Sequence, residues 1–373
     1  MITRRAMRSL AAGVMAAVLA SGAAHAQAGT RTAAGDPGAV VRGADGARLD
    51  RMLSSLLPSV YSGTVLVARG GEIVLHRGYG TADSRSGAAA STQTVYPIAS
   101  LSKQFTAAAI LALAEEGKLA LTDSLGRFFP GAPADRRGIT LHQLLTHTAG
   151  LGRDAVRSDV TISRDSFVVA ALRAPLASAP GTKHAYSNAG YMLLGAVVET
   201  ASGTTLDRYL EQRLFRPAGM RNTGFPTADW SGRTVAAGEG DDTYRGSPLD
   251  EPAARNGWYR RGAGGLLSTV DDLYRWSRAL DEGRVLSPAS VALLFTPHVA
   301  EEEGSRSFYG YGWVVQQTSR GTPIQWHNGG WATYYAELRR YPAEGVTLIV
   351  TSNRRGGVDS VIDLIARQTF ARP

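Results

Sequence analysis

Residues 105–114 (FTAAAILALA) carry one polar side chain among ten. A segment of that length with no polar face predicts a helix buried on all sides, at the centre of a fold. Upstream, residues 62–68 alternate enough for a strand. Arg69-Gly70-Gly71 reads as a turn, and residues 72–79 form the hairpin partner. Residues 47–57 precede them as a short helix. Strand patterns return only late, at 312–318, 323–327, 333–341 and 346–352, and residues 358–371 close the chain as a helix. The stretch from 140 to about 290 reads as helices and loops, with helical segments at 141–146, 164–172, 189–201, 205–215 and 270–280. Ser268 and Asp271 have the spacing of a capping box for the last of these.

Strands at both ends with helices between them predict an α/β chain of the α+β type. An antiparallel sheet is built from the N- and C-terminal segments and flanked by helices, with an all-helical insertion lobe. The 373 residues suffice for a substantial core, and no solenoid period interrupts them. The first 26 residues stand apart. Arg4, Arg5 and Arg8 form a charged start, residues 10–20 are apolar, and Ala24-His25-Ala26 is a small-x-small cleavage site. That is the pattern of a signal peptide, so we expect an exported protein, periplasmic or secreted. The apolar run is too short to span a bilayer, and no integral membrane segment follows signal removal. Arg4-Arg5 suits a twin-arginine signal, but Arg8 falls where an apolar residue is usual. Residues 27–46, rich in Ala, Gly and Arg, read as a flexible leader to a single domain over 47–373.

Charge and composition narrow the function. The formal +8 falls to +5 once residues 1–26 and their three arginines are removed, with no clustered basic run, so no nucleic-acid partner is expected. The chain has no cysteine, which excludes disulfides and thiolate chemistry. Only three of its 40 basic residues are lysines: Lys103, Lys118 and Lys183. Lys103 lies three residues after Ser100, at the start of the apolar helix. Arginine cannot give up its proton, whereas a buried lysine can. Ser100 as a simple N-cap with Lys103 on the surface is the alternative. A lysine in the first turn, however, opposes the helix dipole, where Glu or Gln is favoured. The penalty becomes useful if the lysine must be neutral. Lowering its pKa from ~10.4 to ~7–8 takes roughly 3–5 kcal/mol of differential destabilisation. The same helix start offers a backbone N–H to an oxyanion.

Two further motifs lie downstream. Tyr186-Ser187-Asn188 is the only Tyr-x-Asn among fourteen tyrosines. In an extended segment Tyr186 and Asn188 share one side, and a phenol can relay a proton while an amide orients its neighbours. Alternatively Asn188 caps the helix that follows. His327-Asn328-Gly329-Gly330 ends a strand, so His327 and Gly329 face one way. Gly329 admits close approach, and the N–H of Gly330 is a candidate oxyanion donor. His76-Arg77-Gly78 repeats the pattern but precedes the serine and reads as hairpin. Trp326 and Trp331 flank the third motif and either wall a pocket or pack the sheet. Trp331 is favoured for the pocket.

Ser-x-x-Lys, Tyr-x-Asn and His-x-Gly in this order resemble the serine β-lactamase and penicillin-binding superfamily. The closer resemblance is to the class C β-lactamase-related branch, with its D-Ala-D-Ala carboxypeptidases, D-amino-acid peptidases and esterases. It is carried by SGTVLVARGGEIVLHRGYG (62–80), PIASLSKQFTAAAILALAEEGKLALTDSL (97–125), LLTHTAGL (144–151), GAGGLLSTVDDL (262–273) and HNGG, and spans about 50–370. The resemblance implies a nucleophile Ser100, a base Lys103 and a proton relay Tyr186. Asn188 and His327 would orient substrate or lysine, and the N–H groups of Ser100 and Gly330 would hold the oxyanion. It implies no metal and no cofactor. His142 and His147 are expected to be structural.

Many members carry lysine where this chain has His327. A mostly neutral histidine is a poorer anchor for a β-lactam carboxylate. The expected activity is therefore that of a D-amino-acid peptidase, carboxypeptidase or esterase on a small-molecule or short-peptide substrate. A class C-type β-lactamase and a penicillin-binding sensor that never turns over are the alternatives. An α/β-hydrolase is excluded by the lack of Gly-x-Ser-x-Gly.

Overall fold

The early hairpin and the late strands join in one sheet. From the N-terminal side come β1 (Val40–Val41), β2 (Gly63–Arg69) and β3 (Glu72–Tyr79). From the C-terminal side come β4 (Val299–Ala300), β5 (Ser307–Tyr309), β6 (Val314–Gln317), β7 (Pro323–Trp331), β8 (Tyr334–Tyr341) and β9 (Val346–Ser352). They lie in the order β1-β3-β2-β9-β8-β7-β6-β5-β4, each neighbouring pair antiparallel. The two ends of the chain meet where β2 pairs β9, with Val346 opposite Arg69 and Ser352 opposite Gly63. The computed structural model describes residues 36, 38–56, 60–157, 160–240, 244–251, 257–258 and 260–371. The expected signal peptide over 1–26 lies outside them.

Both faces of the sheet are covered, which is why β2 is buried from Gly63 to Ala68 and not simply alternating. Val65 and Val67 face a core with Leu49 and Leu53 of α1 (Gly43–Ser55) and Ile362 and Ile365 of α8 (Val358–Phe370). Leu66 and Ala68 face the larger core on the opposite side. There α2 (Ser102–Glu115) is buried at every position from Ser102 to Leu113, as its apolar sequence requires. The labelled helices between are α3 (Leu141–Leu145), α4 (Arg164–Arg173), α5 (Asn188–Ser202), α6 (Val270–Asp281) and α7 (Pro288–Phe295). α2 packs against α5, which brings the Ser100 and Tyr186 regions together.

The structure corrects several expectations. The insertion lobe is not all-helical. Leu267–Ser268 pairs with Tyr96–Pro97, and Gly238–Glu239 pairs with Tyr244–Gly246; two-residue ladders are too short to leave an alternating signature. Residues 40–46 are not leader but strand β1 and the first turn of α1. Val40 sits opposite His76, and the Asp36 carboxylate accepts from the Thr92 N–H at 2.8 Å. The helix expected over 205–215 is α-helical at Leu206–Leu210, π-helical at Glu211–Phe215 and α-helical again at Arg216–Ala218. Pro217 has no N–H to return to the preceding turn, and the wider π turn lies just before it. The cap of α6 is Thr269, not Ser268: its side chain accepts from the Asp272 N–H. β6 starts at Val314 because Gly312 adopts φ +75 against the Lys103 carbonyl. β7 runs on to Trp331, so the His-Asn-Gly-Gly motif lies inside the strand and not at its end.

Candidate active site

Ser100 stands on a sharp turn. A 3₁₀ turn at Ala99–Leu101 leads straight into α2, and Ala99 holds φ +45, a region that a side-chain-bearing residue seldom enters. The turn lifts Ser100 to a half-exposed position while Lys103, on the same face one turn on, is fully buried. Lys103 Nζ lies 3.1 Å from Ser100 Oγ, 2.9 Å from Asn188 Oδ1 and 2.7 Å from the Ala263 carbonyl oxygen. Burial, and secondarily the Arg153 guanidinium, hold its pKa well below the usual lysine value, while Asp154 opposes the shift. No acid occupies the first turn of α2.

Tyr186 arrives from the segment leading into α5. Its hydroxyl hydrogen-bonds Ser100, and its ring lies 4.8 Å from Lys103 Nζ. Burial raises the phenol pKa, so it remains a proton donor. Asn188 is not the helix cap. Ser187 takes that role, accepting from the Gly190 N–H at 3.1 Å. The Asn188 amide is thereby left to bridge Lys103 and Asp154, donating to Asp154 Oδ1 at 3.0 Å.

The third motif lies along β7, which pairs β6 only as far as Trp326. Gly329 packs against the serine turn. A methyl group there would sit 2.3 Å from the Ile98 carbonyl oxygen and 2.7 Å from the Ser100 nitrogen. Only glycine permits this approach, and it sets Gly330 beside Ser100 at the rim of the cleft. His327 shares the buried face with Gly329 and lies beneath the cleft, its ring centroid 6.3 Å from that of Tyr186. Its Nδ1 is 2.6 Å from the Asn328 carbonyl, so the proton sits there, and Nε2 accepts from the Tyr309 hydroxyl at 3.1 Å. Burial first, and Lys103 second, lower its pKa to about 3. His327 is therefore a neutral hydrogen-bonding group at physiological pH.

A cleft of about 180 Å³ opens over Ser100, walled by Arg153, Asp154, Asn188, Arg260, Gly330 and Trp331 among others. Trp331 lies on the pocket side, with the Arg260 guanidinium 4.5 Å above its ring. Trp326 packs between the two cores instead. A beta-lactamase family model matches residues 49–371, a span that holds every element of this site. The chain belongs to the beta-lactamase family.

Among relatives of this beta-lactamase family member, penicillin-binding protein 4* of Bacillus subtilis is 32% identical over 316 residues, covering 79% of this chain and 68% of the relative. A solved penicillin-binding protein from Bacillus halodurans superposes with a TM-score of 0.73 at 27% identity, over 86% of this chain and 98% of that one. SurE, solved with D-Leu, gives 0.74 at 26% identity, over 89% and 78%. The family is one of serine hydrolases, and the fold that the sequence resembled is the fold observed.

The structure brings together Ser100, Lys103, Tyr186, Asn188, Gly329 and Gly330, with His327 buried on the same face of the strand, its ring centroid 6.3 Å from that of Tyr186. Sequence reasoning missed Arg153, Asp154, Arg260 and the Ala263 carbonyl. Ala263 lies within GAGGLL, a segment that carried the resemblance, but a backbone carbonyl leaves no residue-type signal. Arg153 and Asp154 lie two and three residues after LLTHTAGL, which was the available hint.

Proposed function

We propose that this chain is an exported serine hydrolase that acylates Ser100 and acts on peptide amides or esters, D-amino-acid peptides foremost. The hydrogen-bond inventory at Lys103 carries the reading. A neutral amine has two N–H bonds and one lone pair. Asn188 Oδ1 and the Ala263 carbonyl take the two N–H bonds, and the lone pair faces Ser100 Oγ. As Oγ attacks a carbonyl carbon, its proton passes to Lys103 Nζ. The resulting ammonium has three N–H bonds for the same three acceptors, so the transfer strands no group. The oxyanion is held by the N–H groups of Ser100 and Gly330. The Tyr186 phenol protonates the departing nitrogen or oxygen as its bond to carbon breaks, and regains a proton from Lys103. Water then enters by the reverse relay and frees the acid.

Three things support the substrate class. His327, neutral and buried, presents no cation to the cleft, whereas Arg153 and Arg260 line it and suit a substrate carboxylate. The similar penicillin-binding proteins are named for binding penicillin, and SurE was solved with D-Leu. Purified enzyme is to be assayed with D-Ala-D-Ala peptides, D-amino-acid anilides, p-nitrophenyl esters and nitrocefin. Peptide or ester turnover with kcat/KM well above that for nitrocefin is expected; the reverse order would sink the substrate assignment. A time course of fluorescent-penicillin labelling tests turnover itself, since a permanent label with no ester hydrolysis marks a sensor. Export is tested by N-terminal sequencing, with Gln27 expected as the first residue of the mature protein.

A further inference from the structure

The segment LLTHTAGL at 144–151 has no part in the steps above, yet its histidine touches the proton relay from three directions. His147 is buried and adopts φ +58, a left-handed conformation rare outside glycine and asparagine. Its carbonyl accepts from the Ala185 N–H at 2.8 Å. Its ring Nδ1 accepts from the Ser187 N–H at 3.1 Å. The ring itself packs on Tyr186, with centroids 4.3 Å apart and planes at 38°. One residue thus grips the chain on both sides of Tyr186 and supports the aromatic ring between. The left-handed backbone fits this grip, since His147 meets the 185–187 segment with both its carbonyl and its side chain.

The acceptor role fixes the tautomer. Nδ1 takes the Ser187 N–H, so the ring proton is on Nε2 and the imidazole is neutral. Burial foremost, then Lys103, favours that neutral state. A histidine so placed is not a base for the substrate: Ser100 and Lys103 are reached through Tyr186, not through its own nitrogens.

We propose that His147 is a positioning residue that holds the Tyr186 hydroxyl against Ser100, an inference that rests on Tyr186 being the proton relay. The test is a double-mutant cycle on full-length enzyme with p-nitrophenyl acetate. His147→Gly removes the ring and the acceptor without adding strain at positive φ, whereas alanine would add it. It is expected to lower kcat by roughly 10–100-fold with KM within about threefold, because displacement of a catalytic group by ~1 Å costs that much. His147→Asn tolerates the left-handed backbone and returns an amide oxygen near the Nδ1 position. It should recover kcat to within roughly fivefold of wild type. In a Tyr186→Phe background, His147→Gly should cost less than about threefold more, since the group it positions is gone. A general structural role would cost the same in both backgrounds, and that result overturns the inference, as does full activity of His147→Gly in the wild-type background. Full activity of Tyr186→Phe would overturn the relay reading itself, and the positioning role with it. An impaired Tyr186→Phe beside an unimpaired His147→Gly overturns the positioning role alone. If His147→Gly does not fold at the assay temperature, His147→Ser, whose hydroxyl is too short for the same reach and whose strain at positive φ is common to both backgrounds, replaces it in the same cycle.

Discussion

Replacing Lys103 by arginine separates charge from basicity. Arginine keeps the positive charge and the donors but has no lone pair and does not deprotonate at working pH. In the proposed mechanism the neutral amine must turn a lone pair toward Ser100 Oγ, 3.1 Å away. Loss of a general base costs ~10²–10⁴ in rate, about 2.7–5.4 kcal/mol of barrier. Stability falls too. Lys103 is fully buried, and among the described residues its polar partners are a hydroxyl, an amide oxygen and a backbone carbonyl, with no carboxylate in contact. A permanent charge there costs several kcal/mol, out of about 5–15 for a domain. Lys103→Met isolates the chemical loss. It carries no charge and leaves Asn188 Oδ1 and the Ala263 carbonyl each short of a donor, at ~1–3 kcal/mol apiece.

Both variants are to be followed by p-nitrophenyl acetate kinetics and thermal melts. We expect kcat/KM to fall by at least ~10²-fold in each, and Tm to fall further for arginine than for methionine. In the wild type the active form is the neutral amine. Activity therefore rises with pH through a midpoint below the ordinary lysine value, and this limb vanishes in Lys103→Met. A folded Lys103→Arg enzyme within tenfold of wild-type kcat/KM would refute the assignment of Lys103 as base.

Ser100→Ala should abolish turnover and labelling by fluorescent penicillin while shifting Tm by only a few degrees, since the side chain is half-exposed; residual turnover above ~1% would point to another nucleophile. Gly329→Ala drives a methyl group into the Ile98 carbonyl and the Ser100 nitrogen. It should cost ~1–3 kcal/mol in urea unfolding and ~10²–10³ in kcat, because β7 must retreat from the oxyanion site; unchanged kcat would remove the Gly330 N–H from that role. His327 stays neutral in the fold until about pH 3, whereas the unfolded chain protonates near the ordinary value of 6.5. Between those values the unfolded state binds the extra proton, so wild-type stability falls by ~1.4 kcal/mol per pH unit from this group. The stability advantage of wild type over His327→Gln should therefore shrink as pH drops from 7 to 4; a difference independent of pH would contradict the buried neutral imidazole.

The architecture was legible where side-chain patterning is strong. The all-apolar helix, the early hairpin and β9 stand within a few residues of their expected positions, because continuous burial leaves an uninterrupted apolar signature. What escaped is what patterning does not encode. The two-residue ladders Tyr96–Pro97 and Leu267–Ser268 are held by backbone pairing. The continuation of β7 through two glycines depends on pairing with β8 and on contact with the serine turn. Within the site, the side chains that lie in recognisable motifs were found; Arg153, Asp154 and Arg260, which lie outside them, and the backbone partners were not. The Ala263 carbonyl makes the shortest contact of Lys103 and is invisible to residue type. Asn188 was ambiguous between cap and ligand until Ser187 proved to be the cap.

The departure at His327 changes how the lysine is tuned. Many members of the superfamily resembled here carry a lysine at that position. Like charges disfavour each other, so a second buried cation would depress the pKa of the first. In this chain His327 is neutral and cannot contribute that effect; instead Lys103 depresses His327. The electrostatic part of the depression at Lys103 comes from Arg153, a cleft-lining guanidinium whose carboxylate neighbour Asp154 pulls the other way. Arg153 is 72% exposed at its side chain and so is heavily screened until the cleft is occupied. A bound substrate that covered it would strengthen its effect on Lys103, and a substrate carboxylate paired with it would cancel that effect. With Lys103 as base, substrate charge and base strength would thereby be coupled through one exposed arginine, a coupling that a fixed lysine on the strand would not provide.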